Sequence, residues 1–340
     1  MTRGLAGLLL LIVTAPLSAQ KTDVLVMQNG DRITGEIKGL SRGKLDYSTD
    51  DAGTMSVEWN KVARLTSPVH YEVELRNGRK LFGTLAEPVK DRQLAISDSS
   101  TIAVGIEEVV GMTPIQEDLW GRLQGHLDVG LTYAKANDNV QLTSSGQVRY
   151  RGTSVEAGFD FNTYLQSQDN QSAVSHLSVG AGVQWFVAPL WMAGALAQLQ
   201  QNDELDLALR MTLGAVATRT LVQNQHAIFR VPAGVVLNRE EFYGTDSVTV
   251  SVEALLGAEL AAFRFDSPKV DISASAYGYP SLTESGRFRL EAEARARYEI
   301  FKDFFFGLSF VDSYDSKPPK AGTANNDLTT ALSIGWSFHE

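Results

Sequence analysis

The chain has 340 residues, of which 44% are hydrophobic, with 30 basic and 40 acidic side chains and no cysteine. This length allows about two domains at roughly 150 residues each, and the apolar fraction is too high for a disordered chain. The lack of cysteine excludes disulfide scaffolds and thiol nucleophiles. A net charge of -10 argues against a nucleic-acid partner, because phosphate binding requires basic patches. The mean hydropathy of -0.10 excludes a bundle of membrane helices.

Residues 1–20 have the composition of a secretory signal peptide. Arg3 gives a basic start, Leu5–Val13 forms an apolar core that is too short to span a membrane, and small residues precede Ala19. This order of features predicts export and cleavage near Ala19 or Gln20.

Residues 24–68 and 73–114 repeat one sequence pattern at an offset of 48 residues. Within this repeat, the segment Val26–Ile37 aligns with Glu74–Leu85. A repeated pattern predicts two copies of one small structural unit. We place the two units at residues 21–69 and 70–116.

Each repeat contains an Asn-Gly pair, Asn29-Gly30 or Asn77-Gly78, between alternating apolar residues. This is a strong hairpin signal, because a two-residue turn of this kind requires positive φ at both positions. Each copy is therefore predicted to be a small all-β barrel of about five short strands, and the strand layout resembles SH3-like or Sm-like small barrels. A single copy buries little core, so the two are expected to pack together.

Beyond Trp120, apolar and polar residues alternate with a period of two almost to the end of the chain. This period predicts strands. The twelve runs start near Leu123, Val140, Val155, Leu177, Trp191, Leu205, Ala227, Val248, Val270, Phe288, Phe304 and Leu328. In the tenth run, seven consecutive charged residues between Arg287 and Glu299 share one face. The Ala, Glu and Arg content of this run favours a helix locally, but the strict alternation and the neighbouring runs favour a strand.

The connections between these strands alternate in length. Those at 151–154, 188–190, 218–225, 266–269 and 301–303 are mostly short, and those at 134–139, 166–173, 200–204, 238–247, 280–286 and 312–326 are mostly longer and polar. Short turns at one end and long loops at the other, with an even number of strands, are typical of bacterial outer-membrane barrels. Residues 117–340 are therefore predicted to form a twelve-stranded antiparallel transmembrane β-barrel. A soluble β-sandwich is the alternative.

Such a barrel has an aromatic girdle on its apolar face and polar side chains in its lumen. The predicted girdle at the short-turn end is Tyr150, Trp185, Trp191, Tyr298, Phe304, Trp336 and Phe338. The predicted lumen-lining residues are Arg122, His126, Asp128, Arg149, Glu156, Asp160, Arg210, Arg230, Glu253, Glu259, Arg287, Arg289, Glu291, Glu293, Arg295, Arg297 and Glu299. Both signs of charge are present, so the lumen is either an interior filled by salt bridges or a conducting polar pore with little ion selectivity.

The end of the chain carries two resemblances. Tyr298–Phe306, Tyr314–Pro318 and Asn325–Asp327 resemble segments of the bacterial family of salt-induced outer-membrane proteins, over roughly residues 120–340. This resemblance implies a barrel in the outer membrane of Gram-negative bacteria and supplies no catalytic residue. The last strand, Leu328–Phe338, resembles the C-terminal signal read by the barrel assembly machinery, although two residues follow the final aromatic here.

No motif for catalysis, metal binding or cofactor binding is found in the sequence. The five histidines are scattered without a metal-ligand spacing, and neither a GxSxG nor a GxxxxGK motif occurs. An outer-membrane lipid hydrolase would need a Ser-His pair on the membrane-facing surface. Because the alternation places His126 and His176 on the polar face, this reading is disfavoured.

The sequence therefore predicts a non-enzymatic outer-membrane protein without cofactor or metal. Its expected order is a signal peptide (1–20), two small β-barrels in the periplasm (21–69 and 70–116) and the membrane barrel (117–340). The first hypothesis is a narrow pore or a protein of the envelope stress response. The second is a barrel anchor whose periplasmic tandem domain binds peptidoglycan or a protein partner. Expected partners are outer-membrane lipid and, during biogenesis, the barrel assembly machinery.

Overall fold

The computed structural model describes residues 21–115, 123–134, 139–167, 174–203, 207–244, 248–266, 268–301, 304–317 and 325–336. The predicted signal peptide lies outside the described residues. The named elements are β-strands and two one-turn 3-10 helices, Trp59–Lys61 and Ile106–Glu108. The all-β prediction is confirmed.

Nine strands form the N-terminal unit, residues 21–115. They are β1 (Asp23–Met27), β2 (Arg32–Ser41), β3 (Lys44–Ser48), β4 (Thr54–Glu58), β5 (Val62–Leu75), β6 (Lys80–Ala86), β7 (Gln93–Ser97), β8 (Thr101–Gly105) and β9 (Val109–Pro114). Their order is β4-β3-β2-β1-β5-β6-β7-β8, and β9 pairs with β2 and β5. The 14-residue β5 pairs with β1 at its start and with β6 and β9 at its end. The two repeats thus share this strand, and the predicted boundary between residues 69 and 70 lies inside it.

The two Asn-Gly segments form hairpins of a different type from the predicted one. Gly30 and Gly78 have φ of +93° and +78°, whereas neither asparagine has positive φ. The Gly30 amide donates to the Met27 carbonyl (3.0 Å), and the Met27 amide donates to the Asp31 carbonyl (2.9 Å). The expectation of two positive φ values is therefore wrong. Each turn is a three-residue loop in which only the glycine adopts the left-handed conformation.

One hydrophobic core runs through the N-terminal unit and joins its two repeats. The indole of Trp59, which is 0% exposed, donates to the carbonyl of Ile106 in the second repeat (2.8 Å). At the other side of the unit, the buried carboxylate of Asp23 accepts hydrogen bonds from the Ile37 amide (2.7 Å) and the Tyr71 hydroxyl (3.1 Å). Burial raises the pKa of Tyr71 well above its ordinary value, and the nearby Asp23 carboxylate adds to this shift.

Twelve strands form a second sheet. They are β10 (Leu123–Ala134), β11 (Asn139–Arg151), β12 (Val155–Ser167), β13 (Val174–Ala188), β14 (Trp191–Asn202), β15 (Leu207–Gln223), β16 (Ala227–Phe242), β17 (Val248–Arg264), β18 (Val270–Pro280), β19 (Phe288–Phe301), β20 (Phe304–Asp315) and β21 (Asn326–Trp336). Each pairs antiparallel with the next along the chain. The twelve predicted strands are confirmed, and β19 is a strand despite its helix-favouring composition. Among the described residues no pairing joins β10 to β21, so closure of this barrel-like sheet stays a prediction.

Candidate functional site

The twelve-stranded sheet exposes apolar side chains on one face and buries charged ones on the other. Leu213, Val250 and Ile300 lie on the apolar face and are 53–57% exposed. Glu240 and Glu253 lie on the polar face and are 1% and 0% exposed. A water-soluble fold has the opposite distribution, with apolar residues inside and unpaired charge outside.

Charged side chains on the apolar face of the described strands lie only near strand ends. Arg219 and Arg264 lie at one end, and Arg239, Glu241 and Asp312 lie at the other. On β16 the residue opposite Arg219 is eight positions from Arg239, which is about 26 Å at roughly 3.3 Å per residue. On these strands an uncharged band therefore lies between charged residues at the two ends.

The two ends of the sheet differ in their connections. At the end that we call the near end, strands are joined by short turns, such as the two residues between β13 and β14. At the far end the connections are longer, as between β20 and β21. The described members of the predicted girdle lie on the apolar face at the near end: Tyr150, Trp185, Trp191, Tyr298, Phe304 and Trp336. Phe338 lies outside the described residues.

A buried ion pair lies on the polar face near the far end. The guanidinium of Arg289 donates to the Glu253 carboxylate through Nε (3.1 and 3.2 Å) and Nη2 (2.6 Å). The Asn238 amide donates a further hydrogen bond to Glu253 Oε2 (3.0 Å), and the Tyr279 ring lies 4.8 Å from the guanidinium carbon. The buried carboxylate is thus surrounded by donors, as burial of a charge requires.

A second cluster extends this network across neighbouring strands. Arg287 contacts Asp315 (2.8 Å), Glu284 (3.4 Å) and Glu240 (3.6 Å). Glu240 also accepts a hydrogen bond from Arg210 Nε (2.7 Å). Charged groups from β15 to β20 therefore meet over the polar face in a region from which water is largely excluded.

The N-terminal unit docks against the near end of the sheet. Two ion pairs join them, Arg42 to Asp271 (2.7 Å) and Lys61 to Asp266 (3.3 Å). The pKa of Asp266 is lowered chiefly by its hydrogen bond with Lys61, and the pKa of Lys61 is raised first by Glu58 and then by Asp266. We call the set of contacts between the N-terminal unit and the near end the docking surface.

Cations of the N-terminal unit also lie on aromatic rings at the docking surface. Lys44 Nζ is 4.2 Å from the centre of the Phe265 ring, and Lys80 Nζ is 3.6 Å from that of Phe186. Lys80 also donates to the carbonyl of Thr153 in the turn between β11 and β12 (3.0 Å). Contacts of this kind hold a cation over a ring by electrostatic attraction.

The backbones of the two parts approach closely, and glycines permit this. Gly43 and Gly78 have φ of +71° and +78°. A Cβ atom on Gly43 would lie 2.7 Å from the Gln225 carbonyl oxygen, and one on Gly78 would lie 2.6 Å from the Leu190 nitrogen. The Gln225 side chain donates to the Ile106 carbonyl (2.9 Å). The docking surface is therefore packed as well as charge-paired.

A cleft of about 380 Å³ opens at one side of the docking surface. Glu74 and Lys80 of the N-terminal unit form one wall, and Phe186, Trp191 and Arg230 form part of the other. The cleft thus lies between the N-terminal unit and the near end of the sheet.

The structure places the described predicted lumenal residues on the polar face: Asp128, Arg149, Glu156, Asp160, Arg210, Arg230, Glu253, Glu259, Arg287, Arg289, Glu291, Glu293, Arg295, Arg297 and Glu299. Arg122 and the side chain of His126 lie outside the described residues. Only some of these residues come together in buried clusters. Arg295 and Glu293 form an exposed pair (2.8 Å).

Several functional candidates were missed from the sequence. Glu240, Asn238 and Asp315 belong to the buried network. Glu240 lies between Arg239 and Glu241, so alternation of polarity alone does not show which of the three faces the polar side. Its even spacing from Arg230 on β16 does indicate that these two residues share a face. Arg42 and Lys61 gave no signal, because their partners are more than 200 positions away in the chain.

The described residues contain neither a helix with the length and apolar content needed to cross a membrane nor three His, Asp or Glu side chains grouped to hold a metal ion. No curated protein and no solved structure matches the chain. Residues 127–338 match the model of the family described as "Protein of unknown function, DUF481". Because this match covers more than half of the chain, the protein belongs to the DUF481 family.

Proposed function

We propose that this protein is a non-enzymatic outer-membrane β-barrel with a narrow polar lumen, whose periplasmic mouth is covered by the N-terminal unit. The inverted burial of the twelve-stranded sheet carries the proposal. Exposed apolar side chains on one face and buried ion pairs on the other suit a sheet that has hydrocarbon outside and a polar interior.

The dimensions of the uncharged band support a membrane location. A strand length of about 26 Å between Arg219 and Arg239 corresponds to about 20 Å along the barrel axis at a tilt of roughly 40°. The long arginine side chains can extend outward from both borders, which brings the band close to the roughly 25 Å apolar band of outer-membrane barrels. Aromatic residues such as Trp185 and Trp191 lie at its near border, where amphipathic rings favour the interface. The resemblance to salt-induced outer-membrane proteins points to the same compartment.

The turn lengths support an orientation. In outer-membrane barrels the short turns face the periplasm, so the near end, with the N-terminal unit docked on it, is the periplasmic end. Its two repeats would be periplasmic small barrels of the SH3-like kind. Export by the signal peptide and insertion by the barrel assembly machinery complete the proposal.

Weakening the docking surface is expected to increase conductance. The double variant Asp266→Ala/Asp271→Ala removes both ion pairs, each worth up to about 1 kcal/mol because the groups are half exposed. Together they would raise the undocked fraction by about tenfold. Single-channel recording of the refolded full chain in planar bilayers would show this as more frequent stepwise openings.

The matched control is Glu87→Ala/Asp91→Ala. Both carboxylates pair with Arg64 inside the N-terminal unit, so this variant makes the same change in net charge away from the docking surface and should conduct like the parent. Equal conductance of all three proteins would contradict a plug.

Low pH should increase conductance as Asp266→Ala/Asp271→Ala does. Because the pKa of Asp266 is lowered by its contact with Lys61, its contribution to docking is present at neutral pH and is lost as acid protonates the carboxylate.

The buried network around Glu253 favours a second candidate function. If it closes the lumen permanently, the barrel is an anchor and the N-terminal unit binds peptidoglycan or a periplasmic protein. Absence of any conductance in the parent and in Asp266→Ala/Asp271→Ala, together with capture of purified peptidoglycan by the folded full chain, would support the anchor over the pore.

Closure of the barrel gives a further prediction. An open sheet edge in hydrocarbon would leave backbone amides of β10 and β21 without partners, at a cost of several kcal/mol for each group. We expect amides of residues 123–134 and 325–336 to exchange hydrogen in lipid nanodiscs as slowly as those of β15 and β16. Fast exchange confined to these two strands would argue against a closed membrane barrel.

A further inference from the structure

Arg230 differs from the other described arginines of the polar face. Each of the others has a carboxylate or an aromatic partner: Arg149 with Glu156, Arg210 with Glu240, Arg287 with Asp315, Arg289 with Glu253, Arg295 with Glu293 and Arg297 with the Phe305 ring. The Arg230 side chain makes no hydrogen bond, ion pair or ring contact within the described residues, and its Nε is buried without an acceptor. A buried guanidinium nitrogen without an acceptor is costly.

The carboxylates nearest to Arg230 are engaged elsewhere. Glu259 lies directly across from Arg230 in the register of β16 and β17, yet it accepts the hydrogen bond of the Tyr277 hydroxyl (2.7 Å). In the cleft itself, Glu74 accepts from the Gln223 amide (2.8 Å) and Glu156 pairs with Arg149 (3.7 Å). Of the described cationic side chains that line the cleft, Lys80 pairs with Glu72 (2.7 Å) and Arg79 is exposed, whereas Arg230 has a buried donor that lacks an acceptor.

One part of the cleft wall is apolar. Phe186, Pro189, Leu190, Trp191 and Met192 follow one another around the turn between β13 and β14 and line the cleft. A charged donor at one end and an apolar wall at the other is the arrangement that binds a small amphipathic anion. A planar guanidinium matches a carboxylate with two parallel hydrogen bonds.

We infer that this cleft binds small monocarboxylates with an apolar or aromatic body, with the carboxylate on Arg230 and the body against Phe186 and Trp191. The inference adds a ligand class to the proposed pore function, and it rests on that function only for the route that the ligand takes through the barrel. Binding itself requires neither conductance nor undocking of the N-terminal unit.

Three probes of one shape test the site: phenylacetate, phenylacetamide and phenethylamine, which are anionic, neutral and cationic. Each is titrated at constant ionic strength into the full chain refolded in detergent, with tryptophan fluorescence as the signal. We expect a saturable change with phenylacetate and affinity at least about tenfold lower for the other two, because each lacks the charge-assisted hydrogen bonds. The signal should disappear in Trp191→Phe if it arises at the cleft.

Arg230→Gln should weaken phenylacetate binding at least about tenfold, and Arg230→Lys should have an intermediate effect. The matched control is Arg239→Gln on the same strand, whose side chain lies on the apolar face at the far end, and it should bind like the parent. Equal affinity for phenylacetate and phenylacetamide would overturn the inference without any variant, as would unchanged binding in a folded Arg230→Gln protein. Failure of the pore proposal is distinguishable, since it would appear in bilayer recordings while this titration still saturates.

Discussion

Replacing Glu253 with alanine is expected to lower the free energy of unfolding by about 3–5 kcal/mol. The substitution leaves the Arg289 guanidinium buried without its carboxylate, and an uncompensated buried charge is far more costly than a lost surface pair. The Asn238 amide loses its acceptor as well. Urea unfolding of the refolded full chain, followed by tryptophan fluorescence, measures this change.

The chain provides a matched control on the same face of β19. Glu293 pairs with Arg295 at 2.8 Å, but both side chains are exposed, so Glu293→Ala should change the free energy of unfolding by less than about 1 kcal/mol. The double variant Glu253→Met/Arg289→Met should recover much of the loss, because it removes both charges and keeps the volume. If Glu253→Ala costs no more than Glu293→Ala, water reaches the network on the polar face near the far end of the sheet.

Strands were predictable from this sequence because their signal is local. Alternation of apolar and charged residues survives in each strand, and in β19 it overrides the helix propensity of alanine, glutamate and arginine. The sequence also predicts the N-terminal hairpins. It does not determine their turn type, since Asn-Gly suits both a two-residue loop and a three-residue loop with one left-handed glycine.

The candidate site was predictable only in part, because its decisive contacts are not local. Alternation shows that Glu253 and Arg289 share a face, but their pairing across 36 positions follows from strand order and register. The docking surface joins Arg42 to Asp271 at the start of β18, 229 positions away. Glu259 lies opposite Arg230 but accepts a hydrogen bond from Tyr277 (2.7 Å). Which of these neighbours Glu259 contacts depends on side-chain conformations that the sequence pattern does not determine.

Trp59→Ala is expected to destabilise the N-terminal unit by about 3–5 kcal/mol. The ring is fully buried in the core that both repeats share, and removing it leaves a large cavity. Its hydrogen bond to the Ile106 carbonyl is lost too. Because β5 belongs to both repeats, we expect backbone amides of residues 23–48 and 80–105 to lose protection together in hydrogen exchange of the full chain.

Trp59→Phe separates the contribution of apolar packing from that of the indole hydrogen bond. It keeps most of the apolar contact and removes the hydrogen bond, and the Ile106 carbonyl keeps the Gln225 amide as a donor, so the cost should be about 1 kcal/mol. Val89→Ala, at a position that is 92% exposed, serves as the silent control. Loss of protection in residues 23–48 alone would mean that the repeats open independently. The unit would then be two domains in tandem.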